Sequence, residues 1–441
     1  MMKMTVFGLG AAGNKACIAL IESGVVDKDH VKLLNTTSRD IPDEYKDPNL
    51  YIEFLSGLGG CGKEPAKGRA AITTAIQNKD IDMGQLLNED SMEVVLVSSV
   101  EGGTGSGSVT VLATFFDAMD IPVHVFAFVG FQDEARGINN TLKFFKDLPE
   151  KVILHTIRNS YFLDYTNNYS IAEQAANQEF VQEIEILRGS KMVPSSQVID
   201  DTDLYKINVT PGYMTINHIP LTGIKNTEGF NTAVSKAFED SCYMDLDQSA
   251  KRIAVIINAS ESVQKAVDNS LEVIKRYVGT PTEQFSHIQP DRDEDLEGDE
   301  YIDVIVCGMN YPERPIKNIN AKYRKIKEKL NVGRKSFEDI YTDIDVDDDL
   351  DEFNVDIKQM VDPSKAEALF SANSIAGLAK AARAVKAAKE PAKETVVDTP
   401  VKQQEKPKIE SVEVPNNPMR KKSGQQSFEA EVEMTEVIKH Y

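Results

Sequence analysis

The sequence predicts an α/β fold built on a parallel sheet, and three observations carry that prediction. Short apolar, β-branched runs alternate with helical patterns, which implies strands covered by helices on both faces. Two of these runs lead into glycine-rich turns, Gly8–Gly13 and Gly102–Ser108, each followed by a helical pattern. The chain has 441 residues, enough for two or three domains and a sizeable core.

The elements follow in order. Lys3–Phe7 reads as a buried first strand, followed by Gly8-Leu9-Gly10-Ala11-Ala12-Gly13 and a helix to about Ser23. Val31–Asn35, Val94–Ser99, Val123–Val129 and Val152–Ile157 continue the strand series. The stretch 170–188 lacks Gly and Pro and sets Ile171, Ala175, Gln178 and Val181 along one side, predicting a long helix that ends at Gly189. A second unit has strands at Ile253–Asn258 and Ile302–Cys307, with a helix near Ser262–Tyr277 between them. Asp291–Glu300 predicts an exposed acidic loop, and the pattern weakens after Pro312. Asp343–Asp351 is dense in aspartate and predicts a solvated segment; the spacing and central Gly of an EF-hand are absent. Residues 365–389 are alanine-rich, with Lys380, Arg383, Lys386 and Lys389 three apart, and predict a helix. The composition of 390–427 predicts disorder, and Phe428, Val432, Thr435 and Ile438 close the chain at helical spacing.

Composition narrows the function. With 49 Lys+Arg against 70 Asp+Glu, the net charge of −21 excludes a body that coats nucleic acid non-specifically. From Lys365 onward the balance reverses to 13 basic and 11 acidic residues. The cysteines, Cys17, Cys61, Cys242 and Cys307, are scattered without a CxxC pair and suit a reducing compartment. No apolar run reaches membrane-spanning length, and residues 1–7 form a strand rather than a signal peptide. The expectation is a cytoplasmic chain without direct membrane insertion.

The chemistry starts at Gly102-Gly103-Thr104-Gly105-Ser106-Gly107-Ser108. Small side chains leave backbone N–H groups open to an anion, and the following helix adds its positive end. This is a phosphate cradle but not a P-loop, because no Gly-Lys-Ser/Thr closes it. The Gly-x-Gly-x-x-Gly run at 8–13 is shared with dinucleotide-binding folds, which need an acid at the tip of the second strand to hold a ribose. Here that strand ends in Asn35-Thr36-Thr37, and the first acid is Asp40. A third glycine-rich run spans Gly57-Leu58-Gly59-Gly60-Cys61-Gly62-Lys63 and continues to Pro65, Gly68 and Arg69.

Together these runs resemble the tubulin/FtsZ family, over roughly residues 3–310. Gly8–Asn14 is similar to its first phosphate loop, Asn35-Thr36 to the pair after its second strand, and residues 57–69 to its Gly-Leu-Gly…Pro-x-x-Gly-Arg loop with one extra residue. Gly102–Ser108 resembles its Gly-Gly-Gly-Thr-Gly-Ser/Thr-Gly signature, with Glu101 in place of the first glycine. The resemblance implies GTP/GDP with Mg²⁺, contacted by Gly10, Ala11, Ala12, Gly13, Asn14, Asn35, Gly60, Cys61, Gly62, Gly102, Gly103, Thr104, Gly105, Ser106 and Gly107. It implies Glu134 for the sugar, Arg136 near phosphate, and Asn159 and Asn177 as readers of the guanine edge. Lys63 either adds a cation to the phosphates or points to solvent. Glu173 stands where the family places a stacking aromatic; Tyr169, one turn earlier, is the alternative.

The implied architecture is a tubulin/FtsZ-like α/β fold. A Rossmann-like GTP-binding domain (1–168) leads to a central helix (169–190) and a smaller α+β second domain of the activation type (191–320). An acidic linker (321–362), a helix (363–390) and a mostly disordered tail (391–441) follow. In the family, an acidic loop after the long helix completes GTP hydrolysis across the contact between copies. Counting from Pro211-Gly212, its positions hold Thr215, Asn217 and Pro220, with no carboxylate. Asn217 orients water without taking its proton, and Glu228 is the next acid downstream, as in TubZ-type relatives, which lack the FtsZ loop. The FtsZ tail motif is also missing. The implied function is a GTPase that polymerises head to tail with itself and partitions plasmid or phage DNA, its tail contacting a DNA-binding adaptor. The alternatives are a cell-division filament and a non-polymerising nucleotide-binding metabolic enzyme.

Overall fold

The structure, a computed structural model, describes residues 4–54, 59–88, 91–189, 192, 198–224, 226–244, 246–260, 263–265, 270–289 and 300–332. Its strands are β1 (Met4–Leu9), β2 (Val31–Asn35), β3 (Tyr51–Glu53), β4 (Glu93–Ser99), β5 (Val123–Val129), β6 (Ile153–Arg158), β7 (Gly212–Pro220), β8 (Arg252–Asn258), β9 (Glu283–Ile288) and β10 (Tyr301–Met309). They form one sheet in the order β3-β2-β1-β4-β5-β6-β7-β10-β8-β9. Every pairing is parallel except the two made by β10, which runs antiparallel to β7 and β8. β1 and β5 are buried along their whole length, as strands covered on both faces must be.

The helices are α1 (Gly10–Glu22), α2 (Pro65–Gln77), α3 (Met83–Leu86), α4 (Thr104–Ala118), α5 (Ala135–Asp147), α6 (Asn159–Thr166), α7 (Tyr169–Leu187), α8 (Asp201–Asn208), α9 (Thr227–Glu239), α10 (Ser270–Val278) and α11 (Glu313–Val332). One core joins the sheet to α2, α4, α5, α9 and α10; the other joins it to α1, α7 and α8. The four cysteines are buried and free. No described helix is long and apolar enough to cross a membrane.

Several expectations change. β3, β7 and β9 carry too few apolar residues, or too irregular a pattern, to stand out in the sequence. The buried side of α7 includes Ala172, Ala176, Phe180, Ile184 and Leu187, spaced by four residues and then three, whereas Ile171 and Gln178 are exposed. The predicted boundary at 320 falls inside α11. That helix carries Ile316, Tyr323 and Ile326 half-buried and Ile319 buried against the core, and it packs on α5. Its lysines and arginines dilute the apolar stripe, so in sequence it reads as a linker. The Asp291–Glu300 loop lies outside the described residues except for Glu300. The acidic segment beyond 332, the 363–390 helix and the 391–441 tail, including Phe428, Val432 and Ile438, lie outside them entirely.

Buried polar groups cross the sheet in a chain. Glu93 Oε2 meets His124 Nε2 at 3.2 Å, His124 Nδ1 meets His155 Nε2 at 3.1 Å, and His155 Nδ1 meets Glu183 Oε2 at 3.3 Å. Glu93, His124 and His155 are fully buried, and Glu183 is 1% exposed. Asn208 of α8 extends the chain with a 3.5 Å contact to Glu93 Oε1. Buried polar groups persist only when partnered, and each imidazole here uses both nitrogens.

Candidate functional site

The predicted site residues converge at the C-terminal ends of β1, β2, β4, β5 and β6, where open α/β sheets bind ligands. The glycines divide into two groups. A Cβ on Gly13 would lie 2.0 Å from Val97 O, on Gly105 2.2 Å from Ser98 Oγ and 2.3 Å from Leu9 O, and on Gly107 2.2 Å from Pro65 O. Gly10 and Gly103 are similarly tight, against Gly105 N at 2.9 Å and Glu64 N at 2.7 Å. These five let α1, α2, α4 and the loops at their starts approach one another. Gly60, Gly62 and Gly102 face open space, and the first two have φ of 110° and 55°. It is this second group that leaves backbone N–H groups accessible to an anion.

Hydroxyls and a thiol line the cradle. Thr36 Oγ1 and Thr104 Oγ1 are 2.8 Å apart, and Cys61 Sγ donates to Thr36 Oγ1 at 3.8 Å. Ser106 is buried and donates back to Gly102 O. Asn14 is fully buried; its Nδ2 donates to Leu34 O at 3.4 Å, bracing α1 against β2, and its Oδ1 has no partner within the protein. Asn35 accepts from Thr36 N at 2.9 Å and is 2% exposed. Ala11 is half-buried at the start of α1.

Beside the cradle, a partly open pocket is lined by Ala12, Lys15, Ser99, Glu101, Phe128, Gly130, Phe131, Asn159, Glu173 and Asn177. Both predicted base readers, Asn159 and Asn177, are therefore on its wall. Asn159 Oδ1 is buried and has no partner within the protein. Such an acceptor is costly unless a ligand donor meets it. Glu173 pairs with Lys15 at 3.3 Å. Tyr169 is 54% exposed and sits edge-on to Phe131, with centroids 4.5 Å apart. The aromatic wall is thus Phe128 and Phe131, which the sequence reading did not single out. Their signal was position: each ends or directly follows the central strand β5.

The loop after β5 closes over the cradle. Lys63, exposed and at φ 60°, pairs with Glu134. Arg136 Nη1 donates to Gly62 O at 3.4 Å, and its Nη2 is 3.8 Å from Glu64 Oε1. Lys63 and Arg136 thus sit together beside the open glycines.

The two predicted catalytic residues do not share one location. Asn217 is in the middle of β7, paired with Val304 and 4% exposed, so it cannot reach a second copy. Pro211-Gly212 opens this strand and is not the loop that follows the long helix. Gly212 pairs with Ile153, at the end of β6 remote from the pocket. β7, paired parallel to β6 at its start, is nine residues long, roughly 30 Å, and carries exposed Glu228 in α9 away from that remote end. The acids that do follow α7 are Asp200, Asp201 and Asp203, at the start of α8. Asp200 caps the helix, accepting from Thr202 N and Asp203 N, and Asp203 pairs with Lys206 at 3.1 Å. Asn208 of the same helix donates to Leu187 O, fastening α8 to the far end of α7. The cue in the sequence was Gly189 as the helix stop, with Asp-Asp-x-Asp as the next helix start.

The sequence matches no family model and no curated protein. Its fold is that of the tubulin/FtsZ superfamily. CetZ2 from Haloferax volcanii, solved as a GTPγS-bound protofilament, superposes with a TM-score of 0.60 at 18% identity, covering 75% of this chain and 100% of that one. TubZ of Clostridium botulinum phage c-st gives 0.56 at 15% identity, covering 74% and 98%. An empty FtsZ dimer from M. jannaschii gives 0.55 at 19% identity, covering 69% and 88%.

Proposed function

We propose that this chain binds GTP at the β1–β4–β5–β6 end of its sheet and hydrolyses it within a head-to-tail filament of its own copies. The observation that carries the nucleotide reading is Asn159 Oδ1, a buried, unpartnered acceptor on the wall of a pocket that adjoins open glycines. Guanine presents N–H donors at the edge where adenine presents an acceptor, so the orphan oxygen favours guanine. Asn177 supplies a second carboxamide on the same wall, and Phe128 and Phe131 supply apolar surface for the base. Gly60, Gly62, Gly102 and Thr104 form the phosphate seat, with Lys63 and Arg136 as nearby cations.

Mg²⁺ would be held by the nucleotide phosphates and water, since no group of three or more His, Cys, Asp or Glu among the described residues is arranged to hold a metal. Bound there, it would neutralise charge developing on the phosphates.

For hydrolysis, the acids at the start of α8 replace Glu228 and Asn217 in our reading. They stand beyond the far end of α7, whose 19 residues span roughly 28 Å from the pocket side. A copy stacked above the pocket would bring these carboxylates to the nucleotide below, where one of them orients and deprotonates water. The CetZ2 protofilament supports this stacking by analogy of fold. The finer reading, partition of plasmid or phage DNA through an adaptor held by the tail, rests on the sequence: the missing FtsZ tail motif and the reversal of charge after Lys365.

Equilibrium binding of GTP, GDP and ATP to the full chain and to Thr104→Arg tests the site. Binding of GTP and GDP that the arginine abolishes in a folded variant is expected. Unchanged affinity in Thr104→Arg, or ATP bound as tightly as GTP, would refute the assignment.

A further inference from the structure

Glu101 stands where the resembling loop begins with glycine, and the nucleotide reading leaves its side chain without a task. We propose that Glu101 is a positioning residue whose carboxylate is a strut under the 130–137 turn, holding Glu134 and Arg136 against the phosphate seat. The inference rests on the nucleotide reading for its functional consequence, but not for the strut itself.

Three independent contacts define the strut. Gln132 N–H donates to Glu101 Oε1 at 3.0 Å, with Gln132 at φ 54°. A non-glycine residue keeps that left-handed conformation only when its surroundings hold it. Next, the turn is hollowed to fit this one side chain. A Cβ on Gly130 would meet Glu101 Oε2, Cδ and Oε1 at 2.3, 2.5 and 2.9 Å, and these are its three nearest atoms. A Cβ on Gly137, in the first turn of α5, would also meet Glu101 first, at 3.1 Å from Oε2. The carboxylate thus lies beside the positive end of α5, which favours an anion. Finally, Asn140 Nδ2 of α5 donates to both Glu101 O and Lys63 O at 3.0 Å, tying two loops to one helix.

The turn is held from the other side as well. Lys322 Nζ of α11 donates to Gln132 O at 2.6 Å. Gln132 is therefore clamped between Glu101 below and α11 above. The side chains that follow it, Glu134 and Arg136, reach Lys63 and Gly62 of the neighbouring loop. Losing the strut frees the turn to relax from its left-handed residue and loosens both contacts.

Two measurements test this. In the first, GDP affinity is compared among wild type, Glu101→Gln and Glu101→Ala. The glutamine oxygen still accepts from Gln132, so its Kd is expected within about threefold of wild type, while alanine weakens binding about tenfold, the effect of one lost hydrogen bond. Equal losses in both variants would overturn the strut in favour of direct charge contact with the ligand. In the second, unfolding of the nucleotide-free full chain is followed in a double-mutant cycle of Glu101→Ala with Gly130→Ala. Gly130→Ala is expected to destabilise wild type and to be tolerated in the Glu101→Ala background, because the atoms it strikes are gone. If Gly130→Ala alone fails to fold, recovery in the double variant carries the same sign. An additive cycle overturns the proposal whatever the chain binds, and a wild type that fails to bind GDP refutes the nucleotide reading while leaving the cycle intact.

Discussion

Gly102 and Gly105 lie three residues apart in one motif and answer to different demands. Gly105 is wedged between Ser98 Oγ and Leu9 O, where a methyl group has no room; Gly102 has nothing within 4 Å of its would-be Cβ. Gly105→Ala is therefore expected to destabilise the fold by about 1–3 kcal/mol or more, as overpacking does. Gly102→Ala should leave stability within about 0.5 kcal/mol, the usual range for a surface change. Urea unfolding of the two variants checks this, and equal effects would refute the division. Asn159 offers a complementary case. Its Oδ1 has no partner in the protein, so Asn159→Ala should cost little stability. The same change should weaken GTP binding about tenfold while affecting ATP binding much less, because guanine offers an N1–H donor to this acceptor where adenine offers a lone pair. Parallel losses for both nucleotides would contradict the base-reading role.

At the scale of elements, the Glu93–His124–His155–Glu183 chain couples β4, β5, β6 and α7 and makes the core sensitive to pH. Burial first, then Glu179, raises the Glu183 carboxyl well above its ordinary 4.5, with Tyr243 opposing. Above that pH the unfolded chain ionises this group while the fold retains the proton, so the stability it contributes is lost as pH rises. Burial and then His124 lower His155 well below 6.5, so its contribution is instead lost as pH falls through that value. Glu183→Gln keeps a donor toward His155 and removes one titration. The stability of the variant relative to wild type is expected to climb from pH 4 to pH 8, by about 1.4 kcal/mol per unit of raised pKa. Chemical unfolding across that range checks it, and a flat difference would refute it. Neither this chain nor β7 was legible in the sequence. Strong runs such as Val123–Val129 were, because burial on both faces demands unbroken apolar residues. The glycine-rich loops were legible because their glycines are fixed by close approach and open space. Pro211-Gly212 imitates a loop motif in sequence, whereas in the fold it opens strand β7. Asn14 combines the two demands: its Nδ2 braces α1 against β2 while its Oδ1 is left without a partner.

For the whole molecule, head-to-tail hydrolysis requires two opposite ends: the pocket at the strand C-termini and the acids of α8 beyond the far end of α7. Asp201→Asn combined with Asp203→Asn should leave GTP affinity within about twofold, since these residues are remote from the pocket in their own copy. Turnover should fall by about 10²-fold or more, the range of a lost general base. Normal turnover in that variant would return the role to another acid. The central claim is that GTP drives head-to-tail assembly of identical copies. Sedimentation of the full chain with Mg²⁺ and GTP, GDP or ATP tests it most directly. A pellet of filaments is expected with GTP and not with GDP or ATP. A chain that stays in the supernatant with all three nucleotides, or pellets equally with each, would contradict it.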